Sequence, residues 1–128
     1  MTYMGEIQMR RAMQVVTMIL LASLALAGEK ISVADLLQNP ERYDGKTVIV
    51  EGKVTSYQER LSRRGNPYTT FRLEDNGFSV AVFAWGYLGL KDGSRVRVSG
   101  VFQRVKRVGR YTFYNEISAD EVEVLSRR

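Results

Sequence analysis

The chain has 128 residues, room for one ordinary domain, and contains neither Cys nor His. That excludes Cys/His zinc sites, His-ligated haem, Ser-His-Asp and Cys-His catalysis, and any disulfide scaffold. Lys and Arg number 19 against 14 Asp and Glu, a formal charge of +5, and most of the bases are Arg. With 45% hydrophobic and 26% charged residues, the composition is that of a folded domain with a basic surface.

Residues 1–11 are polar and end in Arg10 and Arg11, residues 12–27 form an uncharged apolar block, and Ala25 and Ala27 give a small-x-small ending. This is the layout of a secretory signal peptide over 1–27, cleaved after Ala27. An uncleaved anchor is the alternative, although the block falls short of the ~20 residues a spanning helix needs. Cleavage implies a periplasmic or secreted protein. Removing Arg10, Arg11 and Glu6 leaves a charge of +4.

The segment 28–45 reads as a short helix and a lead-in turn. Ser32 is placed to cap a helix whose apolar face is Val33, Leu36 and Leu37, with Asp35 as a weakened capping box. Asn39-Pro40 stops it, and Tyr43-Asp44-Gly45 is a turn signal.

From 46 to 125 the pattern has period two and predicts strands. The first covers 46–58, with Val48, Val50, Gly52 and Val54 on one side and Gly52 placed to bend it. A basic loop over 59–67 leads to a second strand, 68–74. Asn76-Gly77 is a hairpin turn, and a third strand covers 78–85. The connector 86–93 leads to a fourth strand, 94–105. A second basic loop, 106–110, leads to a fifth strand, 111–117, and a short last strand lies within 118–125. Three meandering strands, a connector and a hairpin suit a small closed barrel, which leaves few exposed edges.

The runs Val48-x-Val50-x-Gly52-x-Val54, Phe71-x-Leu73-x-Asp75-x-Gly77-x-x-Val80-x-Val82-Phe83 and Asp92-Gly93-x-x-Val96-x-Val98-x-Gly100 resemble the OB-fold of the tRNA-anticodon-binding and helicase type. The resemblance covers about 46–124. It implies an all-β, five-stranded Greek-key barrel. It also implies single-stranded nucleic acid bound on the second and third strands, with the loops before the second and after the fourth strand flanking it. In layout the chain is also similar to exported bacterial OB-fold proteins.

The residues themselves give a compatible surface. Arg60, Arg63 and Arg64 lie in or beside the first basic loop, and Arg104, Lys106, Arg107 and Arg110 in or beside the second. Glu59 is the single acid in either segment. In such a barrel the two segments meet in one positive cleft. With Phe71, Leu73, Val80 and Val82 inward, alternation leaves Tyr68, Arg72, Phe83 and Trp85 outward. Tyr57 lies near the first loop and Tyr111 just after the second. Exposed rings between arginines stack bases and neutralise phosphates.

No phosphate-binding Gly-rich loop, metal-ligand spacing or His is present, so neither an enzyme nor a cofactor is expected. The expected function is a non-catalytic module for single-stranded nucleic acid or another polyanion. The alternative is an exported envelope protein that binds a protein, carbohydrate or lipid headgroup, touching the membrane only through an uncleaved N-terminal segment.

Overall fold

The computed structural model describes residues 28–127, so the expected signal peptide lies outside the described residues. A two-residue strand β1 (Glu29–Lys30) precedes helix α1 (Val33–Gln38) and the one-turn helix α2 (Pro40–Tyr43). Five strands follow: β2 (Thr47–Leu61), β3 (Pro67–Asp75), β4 (Phe78–Trp85), β5 (Arg95–Val108) and β6 (Tyr111–Ser126).

α1 begins where its cap is. Ser32 Oγ accepts from the Asp35 backbone amide at 3.0 Å. The Asp35 carboxylate does not reach back to close a box. It accepts from the Asn39 amide at 3.3 Å and the Tyr43 hydroxyl at 3.2 Å, which locks α2 onto α1. Pro40 therefore ends one helix and starts the next, its ring fitting a first helical position. Burial raises the Tyr43 phenol above its ordinary value, with Asp35 adding to the effect. Val33, Leu36 and Tyr43 go into the core.

The sheet order is β1-β2-β3-β4-β6-β5, and β5 pairs again with β2, so the pairings close a circuit. β1 adds to β2 in parallel, and β4–β6 is parallel over Ala81–Phe83 and Glu116–Ser118. The remaining pairs are antiparallel. Val48, Val50, Val54, Phe71, Leu73, Val80, Val82, Val96, Val98, Phe102 and Ile117 fill the interior, with α1 packed at one end against β3 and β4. Asn76 (φ 51°) and Gly77 (φ 83°) both adopt the left-handed conformation that a two-residue hairpin needs.

The strands differ from expectation at their ends. β2 runs on to Leu61 and β5 to Val108, so Arg60, Lys106 and Arg107 stand on strands rather than in loops. The expected fifth and last strands are one continuous β6. The connector 86–93 forms neither helix nor strand. The extended strands make two hairpins, one with the turn 62–66, whose β3 strand still pairs with β4 through Tyr68, and one with Gly109-Arg110, which runs past the residues β6 shares with β4. Near the root of each, a non-glycine residue holds a left-handed backbone, Ser56 (φ 54°) and Asn115 (φ 53°), which breaks the alternation and turns the ribbon.

Two glycines allow the circuit to close. A Cβ at Gly52 would lie 2.6 Å from the Glu74 carbonyl oxygen, and one at Gly100 would lie 2.2 Å from that of Ser118. Gly100→Ala is expected to lower unfolding free energy by about 3 kcal/mol, because backbone must move to admit the methyl. Gly45→Ala meets open space and bears only the strain of its positive φ, about 1–2 kcal/mol. Urea unfolding of the two variants checks the order.

Across β1, β2, β5 and β6 runs a row of charges. Glu51 pairs with Lys30 at 3.3 Å and Arg97 at 2.8 Å, and Arg97 pairs with Glu123 at 2.9 Å. The hydrogen bond from Arg97 holds the Glu51 carboxyl below its ordinary value of 4.5, against the opposing effect of burial. A depressed carboxyl stabilises the fold above its unfolded value, and that contribution is lost as pH falls through the folded value. Glu51→Gln should therefore flatten the loss of stability below pH 4.5, read from urea midpoints across an acid series.

Candidate nucleic-acid interface

The outer face of β3 and β4 follows from their register. Residues paired across antiparallel strands point to the same side. Arg60, Tyr68 and Trp85 form one row across β2, β3 and β4. Gln58, Thr70 and Phe83 form the next, and Thr55, Arg72 and Ala81 the third. The inward partners Thr69, Phe71, Val82 and Ala84 are buried, which fixes the opposite set outward.

The three rings touch one another. Phe83 and Trp85 meet edge to face with centroids 5.0 Å apart, Tyr68 and Phe83 lie 5.4 Å apart, and Tyr68 and Trp85 6.2 Å. Trp85 is 63% exposed, while Tyr68 and Phe83 are half-buried. A large ring exposed to that degree beside two others is a preformed apolar surface rather than a fragment of core.

Below the cluster, Thr69 Oγ1 donates to the Gly86 carbonyl at 2.7 Å and accepts from the Leu88 amide at 3.3 Å. The Gly86 amide donates to the Pro67 carbonyl at 2.9 Å. These bonds steer the chain away immediately after Trp85, so the connector does not cover the indole. Sequence reasoning did not pick out Thr69. Its signal is a small polar residue at an inward strand position, which has to find a partner there.

The second hairpin reaches the same surface through Lys106. Its Nζ lies 4.3 Å from the Phe83 ring centroid and 2.8 Å from Glu116 Oε1. Glu116 is itself buried. The ammonium is thus held between a ring face and a carboxylate, and it seats the β5–β6 hairpin beside Phe83. The two basic segments border one aromatic surface, from its β2 side through Arg60 and from its β6 side through Lys106.

The other expected site residues are placed as follows. Arg72 lies on the face and is held flat along it, with Nε donating to Ser79 Oγ at 2.9 Å and Nη2 to the Ser79 carbonyl at 3.0 Å. Arg60 donates to Gln58 on the same face. Arg63 and Arg64 are exposed in the turn just beyond Arg60 and make no side-chain hydrogen bond or ion pair among the described residues. Arg107 is likewise exposed and unpaired, and Arg110 stands 5.7 Å from the exposed Tyr111 ring at the far tip of the second hairpin.

Two residues are drawn elsewhere. Tyr57 turns to the connector: its hydroxyl donates to Glu59 at 2.7 Å and accepts from the Gly89 amide at 2.8 Å, and its ring lies on Phe71. The left-handed Ser56 just before it sends it off the expected face. Arg104 pairs with Glu41 on α2 at 3.3 Å, and its backbone amide donates to Asp44 at 2.8 Å. Lys106 keeps its place but spends its charge on Glu116.

Among the described residues no group of three or more Asp or Glu side chains could hold a metal ion. No family model and no curated protein matches the chain. Solved structures do. An aspartyl-tRNA synthetase from Leishmania major Friedlin matches 80% of this chain and 21% of its own length, at 17% identity and a TM-score of 0.61. An asparaginyl-tRNA synthetase from Pyrococcus horikoshii matches 78% of this chain and 24% of its own length, at 21% identity and 0.58. The yeast Stn1 and Ten1 structure matches 77% of this chain and 63% of the matched chain, at 12% identity and 0.60. The chain thus spans less than a quarter of either synthetase and under two thirds of the third. The likeness is one of fold, and the fold is the OB-fold.

The Lys106–Glu116 pair is open to a direct test. Lys106→Met should lower stability by about 2 kcal/mol, because the buried Glu116 carboxyl loses its hydrogen-bond donor. Lys106→Met/Glu116→Gln should recover most of that. Urea unfolding of the single and double variants measures both.

Proposed function

We propose that this chain is a nucleic-acid-binding module that lays a single strand across Tyr68, Phe83 and Trp85. The observation that carries the reading is the exposed three-ring cluster on the β3–β4 face, bordered on both sides by basic hairpins. Bases stack on the rings, each contributing ~1–3 kcal/mol with little regard to sequence. Arg60, Arg63 and Arg64 neutralise phosphates on the β2 side, where a planar fork grips two oxygens at once. Arg72, already oriented along the strands by Ser79, has its remaining donors for a phosphate or a base edge. No bond is made or broken in this role. Export by the N-terminal segment, as read from the sequence, belongs to the same proposal.

A strand that neutralises about four phosphates should bind with a log–log salt slope near −3. Trp85→Ala should weaken binding roughly 5- to 150-fold, one stacked base, with little change in slope. Arg63→Ala/Arg64→Ala should make the slope shallower by about 1.4. Fluorescence anisotropy with a labelled single-stranded oligonucleotide over a salt series reads all three. Absence of binding at low salt, or affinity indifferent to Trp85 and the arginine pair, overturns the reading.

A further inference from the structure

The β5–β6 hairpin carries more than the ring cluster uses. In register it pairs Val105 with Tyr114, Lys106 with Phe113, Arg107 with Thr112 and Val108 with Tyr111. Every residue from 107 to 114 is exposed. Lys106, Phe113, Val108 and Tyr111 share the face turned to the ring cluster, and Val105, Tyr114, Arg107 and Thr112 share the other. Tyr114 is 69% exposed and Tyr111 58%. A two-stranded ribbon off the body of a sheet is marginal by itself in water. This one keeps exposed rings on both faces, Tyr111 and Phe113 on one and Tyr114 on the other. It is also single-signed: no acid occurs between Arg104 and Asn115.

Shape and charge together name an occupant. Four residue pairs extend about 14 Å, and a two-stranded ribbon fits a B-form major groove, ~12 Å wide and ~8.5 Å deep. Arg107 near the tip and Arg110 at the turn are free to meet phosphates on the groove walls. The A-form major groove of an RNA duplex is too narrow for the ribbon. The hairpin is seated beside Phe83 by Lys106, so a strand leaving the rings on the β6 side passes its base. We propose that the β5–β6 hairpin enters the major groove of duplex DNA adjoining the single strand, so that the chain recognises a junction between single- and double-stranded DNA. This rests on the reading of the ring cluster as the single-strand platform.

The test compares one single strand, the same strand as the tail of a DNA duplex, the blunt duplex, and a tailed RNA duplex, each against the wild-type chain, Arg107→Ala/Arg110→Ala and Phe83→Ala/Trp85→Ala. The tailed DNA duplex is expected to bind about tenfold tighter than the strand, with a salt slope steeper by about 2 for two further phosphates. The hairpin variant should lose that preference while still binding the single strand, and its thermal midpoint should stay unchanged, since both arginines are exposed. A tailed duplex no tighter than the strand overturns the proposal. So does a preference that survives the hairpin variant, equal affinity for blunt and tailed duplex, or equal preference for the RNA duplex. If the hairpin variant instead abolishes self-association in sedimentation and the tailed duplex is not preferred, the occupant is a second copy and the proposal falls. The platform is read separately. Strand affinity unmoved in Phe83→Ala/Trp85→Ala removes the platform, whereas a missing duplex preference beside ring-dependent strand binding removes the junction alone.

Discussion

Two backbone contacts too close for a methyl group govern the molecule. At Gly52 and Gly100, β2 and β5 bend hard enough to let a neighbouring strand's carbonyl into the space a side chain would occupy. That closeness allows β5 to return to β2 after β6 has met β4. A closed circuit leaves short unpaired edges, on β1 and at the ends of β4, and the apolar residues of five strands then share one interior. The two long hairpins are a by-product of this closure. β5 and β6 continue after the circuit has used all the pairing it needs and Asn115 turns that surplus aside, while Ser56 bends β2 where its partner β3 still pairs with β4.

Charge is sorted by the same division. In the body several acids are paired with bases: Glu51 with Lys30 and Arg97, Glu74 with Lys53, Glu41 with Arg104. The hairpins hold bases with few acids to answer them. The surplus of positive charge is thus concentrated at the two ribbons that border the rings, where a polyanion would gain most from it. Lys106 is the exception that ties the halves together. Its charge is already committed to Glu116, so its role is to fix position, while Arg63, Arg64 and Arg107 keep theirs exposed.

Much of this was readable in advance, for local reasons. Alternation identified the inward set Phe71, Leu73, Val80 and Val82 correctly, because a one-residue slip would have put polar Arg72 and Ser79 inside. The same alternation placed Tyr68, Phe83 and Trp85 on the outer face. Ser32 and Asn76-Gly77 act through contacts within a few residues and were equally legible. What failed was non-local. The positive φ at Ser56 and Asn115 has no sequence marker as strong as glycine, so the turn of Tyr57 toward the connector and Phe71 was not legible. Glu116 meets Lys106 across the antiparallel β5–β6 hairpin, but the break in alternation at Asn115 decides that match, and the pattern along the chain does not announce it. Pro40 was read as a terminator, yet it opens a helix of its own, since its ring suits a first helical position as well as it blocks an interior one.

The hairpin beyond Asn115 also bears on how such a molecule can change. From Arg107 to Tyr114 every residue is exposed and none belongs to the core, so the interior is indifferent to how far that ribbon extends. Insertion or deletion of one residue on each strand moves the tip by a single step and exchanges its two faces, while a change of two on each keeps them. Reach can therefore drift among descendants in double increments, with the folding energy of the rest left untouched.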